Sequence, residues 1–185
     1  MSQLFIYANH DGTRATQVLN DHAEIAAVLN SHDVLFERWQ ANAILGDDAT
    51  SEQITAAYQA DIDRLNARFG FQSIDVVSLT PDNPNKDAAR QKFLAEHTHD
   101  DFEIRFFVDG GGLFYLHMDG KVLAVHCTRG DLISVPANTT HWFDMGSAPY
   151  FKAIRLFTTP DGWVDQFTGS DIANRFPSFD QLINV

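Results

Sequence analysis

Glu96-His97-Thr98-His99-Asp100-Asp101-Phe102-Glu103-Ile104-Arg105, answered further along by Pro136-Ala137-Asn138-Thr139-Thr140-His141, holds a joint pattern of four potential metal ligands. His97, His99, Glu103 and His141 are nitrogen and oxygen donors of the kind that hold divalent first-row transition metals. In an extended strand alternate side chains share a face. An unbroken strand would therefore point His97, His99, Asp101, Glu103 and Arg105 the same way. A helix would set His97 and His99 about 200° apart around its axis, too far to share an ion. His141 must then reach the same point from a second, facing strand, an arrangement that suits a β-barrel. His10, His22, His32, His117 and His126 belong to no such joint pattern and are read as surface or hydrogen-bonded residues.

The chain after His97 reads as short strands separated by turn signals at Asp109-Gly110-Gly111-Gly112, Asp119-Gly120, Arg129-Gly130-Asp131 and Gly146-Ser147-Ala148-Pro149. Asp119-Gly120 is a type I′ hairpin signal. It pairs Met118 with Lys121 and places Tyr115, His117, Val122, Ala124 and His126 on one face. Successive short strands of this kind build a sandwich or a closed barrel.

Before His97 the pattern is mixed. Leu4 to Tyr7 and Val34 to Trp39 read as strands, and Thr16 to about Asn30 reads as a helix. Thr50 to Gly70 is the clearest helix: Thr50 and Gln53 form a capping box, Ile54, Ala57, Tyr58, Ile62 and Leu65 share a stripe, and Gly70 closes it. Ile74 to Val77 reads as a strand, and Lys86 to about Glu96 as a short helix leading into His97. Helices first and antiparallel strands later make an α+β order. The expected layout is one domain over residues 1–185, with helical and strand elements in 1–96, a barrel core in 97–158 and a wrapping tail in 159–185.

A chain of 185 residues with 44% hydrophobic and 21% charged content is an ordinary globular protein with a sizeable core. A formal net charge of −12 argues against nucleic acid or an anionic membrane as partner. An anionic small molecule would have to rely on local positive charge, which a metal and Arg105 can supply. The lone Cys127 cannot form an internal disulfide and fits a reducing compartment. No apolar run is long enough for a membrane span, and Met1 to Tyr7 lacks a signal peptide's basic region. A cytoplasmic monomer is expected.

His97-Thr98-His99 with Glu103 and Gly110 resembles the first motif of the cupin superfamily. Gly130 followed by Pro136-Ala137-Asn138-Thr139-Thr140-His141 resembles the second, with Asn138 where a glycine is usual and Asp144 near a position that often carries asparagine. Agreement beyond the ligands narrows the match. Phe93 to Phe106, Val135 to Asp144, Ile154-Arg155-Leu156-Phe157, Gly162-Trp163-Val164 and Asp171-Ile172-Ala173-Asn174-Arg175-Phe176-Pro177 are similar to the acireductone dioxygenase family. The resemblance covers nearly the whole chain. It implies a cupin-type double-stranded β-helix, a jelly-roll barrel, with the N-terminal helices packed on it.

It also implies one Fe(II) or Ni(II) ion per chain on His97, His99, Glu103 and His141, and a small-molecule acireductone and O2 as reactants. The family's iron form yields formate and 4-methylthio-2-oxobutanoate, and its nickel form yields carbon monoxide, formate and methylthiopropanoate. The ligand set does not choose the metal. Arg105, on ligand parity, is expected to pair with the substrate's anionic oxygens and to serve catalysis. Phe143, two residues after His141, is expected to face inward toward the substrate, and Phe93 and Trp163 are expected around the methylthio end, with plain core packing as the rival account of each aromatic. Asp101 either faces the cavity or hydrogen-bonds a ligand histidine and is left unassigned. The rival functions are another cupin enzyme with the same three-histidine, one-glutamate site and a metal-dependent cupin that binds a small molecule without turning it over.

Overall fold

The computed structural model describes residues 1–46, 48–160 and 162–183. Its elements in chain order are β1 (Gln3–Ala8), β2 (Gln17–Leu19), α1 (His22–Asn30), β3 (Leu35–Arg38), α2 (Ser51–Ala57), α3 (Gln59–Phe69), β4 (Ser73–Leu79) and α4 (Lys86–Leu94). There follow β5 (His97–Thr98), β6 (Glu103–Met118), β7 (Lys121–Thr128), β8 (Asp131–Val135), β9 (Thr140–Asp144), β10 (Phe151–Phe157) and β11 (Gln166–Phe167). A 3-10 turn (Ile172–Arg175) and α5 (Phe179–Leu182) end the described chain.

The strands form two antiparallel sheets that share β6. One runs β11-β5-β9-β6-β7-β1-β2 and the other β3-β8-β6-β10-β4. The Asp109-Gly112 segment, expected to be a turn, is instead the corner where β6 leaves one sheet for the other. Its register against β10 slips between Lys152 and Ala153, and Gly110 adopts a φ of 64° that few side chains tolerate. The Asp119-Gly120 hairpin forms as expected, with Met118 opposite Lys121 and both turn residues at positive φ.

Period-two alternation then sorts the core. Phe107, Ile133 and Val135 of one sheet meet Leu4, Phe114, Leu116 and Val125 of the other between the layers. Their neighbours Phe106, Leu132 and Ile154 point outward and are covered by Trp39 and by Ile54, Tyr58, Ile62 and Leu65 of α2 and α3. On the opposite outer face Tyr7, Tyr115 and Trp142 lie beneath Ile172 and Phe176 of the tail. This is the cupin-type jelly roll with N-terminal helices packed on it.

Three local expectations change. Residues 17–19 add a strand to β1, and the helix starts only at His22, where the Asp21 side chain accepts from the Ala23 and Glu24 amides. The capping box at Thr50 and the left-handed Gly70 both form, but the helix between them breaks at Tyr58, whose backbone is non-helical. The strand from His97 to Arg105 is also interrupted: β5 stops at Thr98 and β6 starts at Glu103.

Candidate metal centre

β5 and β9 pair with His97 opposite His141, and β6 opens with Glu103 opposite Val135. His99 lies in the interruption between β5 and β6, where its carbonyl accepts from the Asn138 amide at 2.7 Å. Asn138 sits at φ 61°, a left-handed conformation open chiefly to glycine and asparagine. Its presence in place of the cupin glycine therefore keeps the backbone turn. The four donor atoms converge within 4.8 Å of one another, and all four residues are buried.

The protonation pattern follows from what surrounds the rings. Nδ1 of His97 is 2.6 Å from the Ala95 carbonyl and Nδ1 of His141 is 2.7 Å from the Thr139 carbonyl. A carbonyl only accepts, so each Nδ1 carries the proton and each neutral ring turns its Nε2 lone pair inward. Glu103 Oε2 lies 2.9 Å from Nε2 of both His99 and His141. Lone pairs at that distance repel unless a cation lies among them or the imidazoles take up a proton. Two donors about 2.1 Å from one ion at right angles would stand roughly 3 Å apart, so the spacing fits adjacent ligands. The donor set thus suits a metal ion.

Charge is tuned the same way. Burial, followed by the neighbouring His141, lowers the His97 pKa and keeps its ring neutral. Burial opposes charge on His99, yet the Glu103 carboxylate prevails and raises its pKa. Burial would raise the Glu103 pKa, but Arg105 and the two histidines hold it well below the usual carboxylate range. Ligation takes neutral imidazoles and an ionised carboxylate, the forms already favoured at His97 and Glu103, whereas His99 would give up its proton to a bound ion.

Arg105 is 3% exposed. Its Nε stands 2.8 Å from Glu103 Oε1, close enough for a charge contact but off the line of a hydrogen bond. Aromatic rings enclose the guanidinium: Phe143 at 4.9 Å, Trp163 at 5.3 Å, Phe114 at 5.4 Å and Phe93 at 5.7 Å. A cavity of about 410 Å³ opens over His97, His99, Glu103 and Arg105, with Phe93 and Trp163 on its wall. Trp163 also stacks on His99 and donates its indole N–H to the Phe102 carbonyl. Phe143 packs behind Arg105 in the core against Phe114 and Phe151 rather than on the wall.

Asp101 holds Thr158, accepting from its amide and its hydroxyl, and touches no ligand histidine. Its parity with the ligands was lost when the strand broke. Arg155, Lys92, Asp75 and Asp165 also line the cavity, with no role expected of them from residue pattern. The one signal for Arg155 is its place directly opposite Arg105 in the β10–β6 register, which a single strand's pattern does not reveal. Asp144, near the second motif's usual asparagine, is fully buried and paired with Arg90.

Residues 3–165 match the model of the ARD/ARD' family. The acireductone dioxygenase of Aquifex aeolicus (strain VF5) is 56% identical over 184 residues, covering all of both chains. That of Parvibaculum lavamentivorans is 57% identical over 180 residues, covering 97% of this chain and 98% of that one. Among solved structures, an acireductone dioxygenase from Bacillus anthracis, with a cadmium ion in its active center, superposes with a TM-score of 0.78 at 32% identity, covering 90% of this chain and 98% of its own.

Proposed function

This chain belongs to the acireductone dioxygenase family, and from that premise we propose that Arg105 binds the anionic oxygens of the substrate while Phe93 and Trp163 bound the space for its methylthio end. The protein is a metal-dependent dioxygenase of methionine salvage that takes a small-molecule acireductone and O2. One metal ion belongs to the cluster of His97, His99, Glu103 and His141, and we assign it as iron(II) or nickel(II). When bound, such an ion supplies Lewis-acid stabilisation of the enediolate of 1,2-dihydroxy-3-oxo-5-methylthiopentene.

The chain's own residues supply the rest. The carbonyls of Ala95 and Thr139 hold two imidazoles in the ligating tautomer. Arg105 offers positive charge in a chain of net charge −12, at a place where burial strengthens its attraction for an anion. Because burial lowers its pKa, the guanidinium is relieved by a negative partner. Phe93 and Trp163 exclude water from the same space. Phe143 serves substrate from behind, as the floor under Arg105. A cytoplasmic monomer is the setting we assign; Cys127 is buried, and no described helix is long and apolar enough to cross a membrane.

The observation that carries the reading is the convergence of the four donors beside a buried, aromatic-lined arginine. Loading the metal-free protein with iron or nickel and supplying the acireductone under oxygen tests it. Iron should give formate and 4-methylthio-2-oxobutanoate, and nickel carbon monoxide, formate and methylthiopropanoate. Absence of oxygen uptake with both metals would sink it.

A further inference from the structure

We infer that Gly112 is a positioning residue for Arg105, acting through the ring of Phe143; the inference rests on Arg105 being the anion-binding group. Gly112 ends the β6 corner, already in the ladder with β7 opposite Cys127 and not among the positive-φ glycines, so an ordinary side chain would meet no backbone strain there. What excludes one is Phe143. A Cβ at position 112 would stand 2.2 Å from its Cζ and 2.5 Å from its Cε2, well inside van der Waals contact.

The ring has little room to retreat. Phe143 is 1% exposed and is hemmed in by Phe114 at 4.8 Å, Phe151 at 5.8 Å and Phe93 at 6.3 Å between centroids. Close-packed interiors pass such a displacement to neighbours rather than absorb it. The neighbour on its face is the Arg105 guanidinium, at 4.9 Å the nearest of the four ring contacts.

Arg105 is unusual in how it is held. Buried arginines are commonly fixed by paired hydrogen bonds to a carboxylate. Among the described residues this guanidinium makes no hydrogen bond, and its Nε meets Glu103 only as a charge contact. Its aim is set by that ion pair and by the rings around it. A ring pushed from below by a methyl group therefore re-aims the fork relative to the cavity. The three atoms nearest a Cβ at position 112 all belong to Phe143 and none to His97, His99, Glu103 or His141, so metal retention is expected to hold.

The experiment compares wild type with Gly112→Ala, Phe143→Leu, Arg105→Gln and the doubles of Gly112→Ala with each, all iron-loaded, measuring metal content, thermal midpoint, kcat and KM for the acireductone. Gly112→Ala should keep one equivalent of metal and lose roughly ten- to hundredfold in kcat/KM, the scale of an ångström-sized misplacement of a catalytic group. In the Phe143→Leu background, where the space is open, the same change should cost far less. In the Arg105→Gln background it should cost nothing further. Wild-type kcat/KM in Gly112→Ala, or an equal loss in all three backgrounds, overturns the inference. If Gly112→Ala does not fold, Phe143→Leu decides: full metal with reduced kcat/KM supports the floor, and wild-type kinetics refute it. An Arg105→Gln variant as active as wild type would instead refute the anion-binding reading itself.

Discussion

His141 shows how several constraints meet at one residue. It must present Nε2 to the cluster, and the 2.7 Å contact of its Nδ1 with the Thr139 carbonyl fixes that choice. His141→Ala removes a donor while leaving Glu103 buried beside His99, so both metal content and oxygen uptake should fall to background. Elemental analysis of the purified variant checks this, and a variant with one equivalent of metal and full activity would refute the ligand assignment. Arg105→Gln should separate the two losses by keeping the metal while lowering kcat/KM. All four donors were legible in the sequence, yet partly by a route the structure corrects. Strand parity predicted a common face for 97–105, but the strand breaks after Thr98 and His99 reaches the cluster from a loop tied to Asn138. Asp101, which shared that parity but was given no role, turns to Thr158. Donor type and spacing survive such a break; side-chain direction does not.

At the scale of elements, β9 is the piece that must be held still, because it carries His141 and Asp144 together. Asp144 is fully buried. It receives both Nε and a terminal nitrogen of Arg90 from α4, at 2.8 and 3.1 Å, and the Phe179 amide from α5 at 2.8 Å. Removing one partner of a buried pair costs more than the pair is worth, because a charge is left uncompensated. Arg90→Met should therefore lower unfolding free energy by about 3 kcal/mol. Urea denaturation checks it, and a midpoint within error of wild type would show that the pair does not hold the element. This pairing was invisible to sequence reading, which noted Asp144 only as an imperfect motif position, because α4 and β9 meet only in three dimensions. Local chemistry was far more legible: the Thr50 capping box, Gly70 and the Asp119-Gly120 hairpin all formed where short-range rules put them. The glycine run at 110–112 misled because the same residues that permit a turn also permit a strand to bend between sheets.

For the whole molecule, acid stability depends on a histidine far from the chemistry. His126 sits in β7 opposite Gln3 of β1, 8% exposed, with no partner for its Nδ1. Burial pushes its pKa down to about 4 from an ordinary 6.5. Above 6.5 the ring is neutral in both folded and unfolded chains and contributes no pH dependence. Between 6.5 and 4 the unfolded chain binds a proton that the folded chain refuses, so folding stability falls as pH falls. The slope approaches about 1.4 kcal/mol per pH unit, and the accumulated loss by pH 4 is about 3 kcal/mol. Other groups also change charge on acidification, so wild type alone cannot isolate this contribution, but a difference can. His126→Leu fills similar space without a proton to bind. Urea unfolding of both proteins at pH 7.5, 6 and 5 should show wild type losing stability more steeply, by up to one proton's worth. Parallel lines would mean that the ring takes up its proton while the fold is intact, and that burial of His126 is not what acid costs this protein.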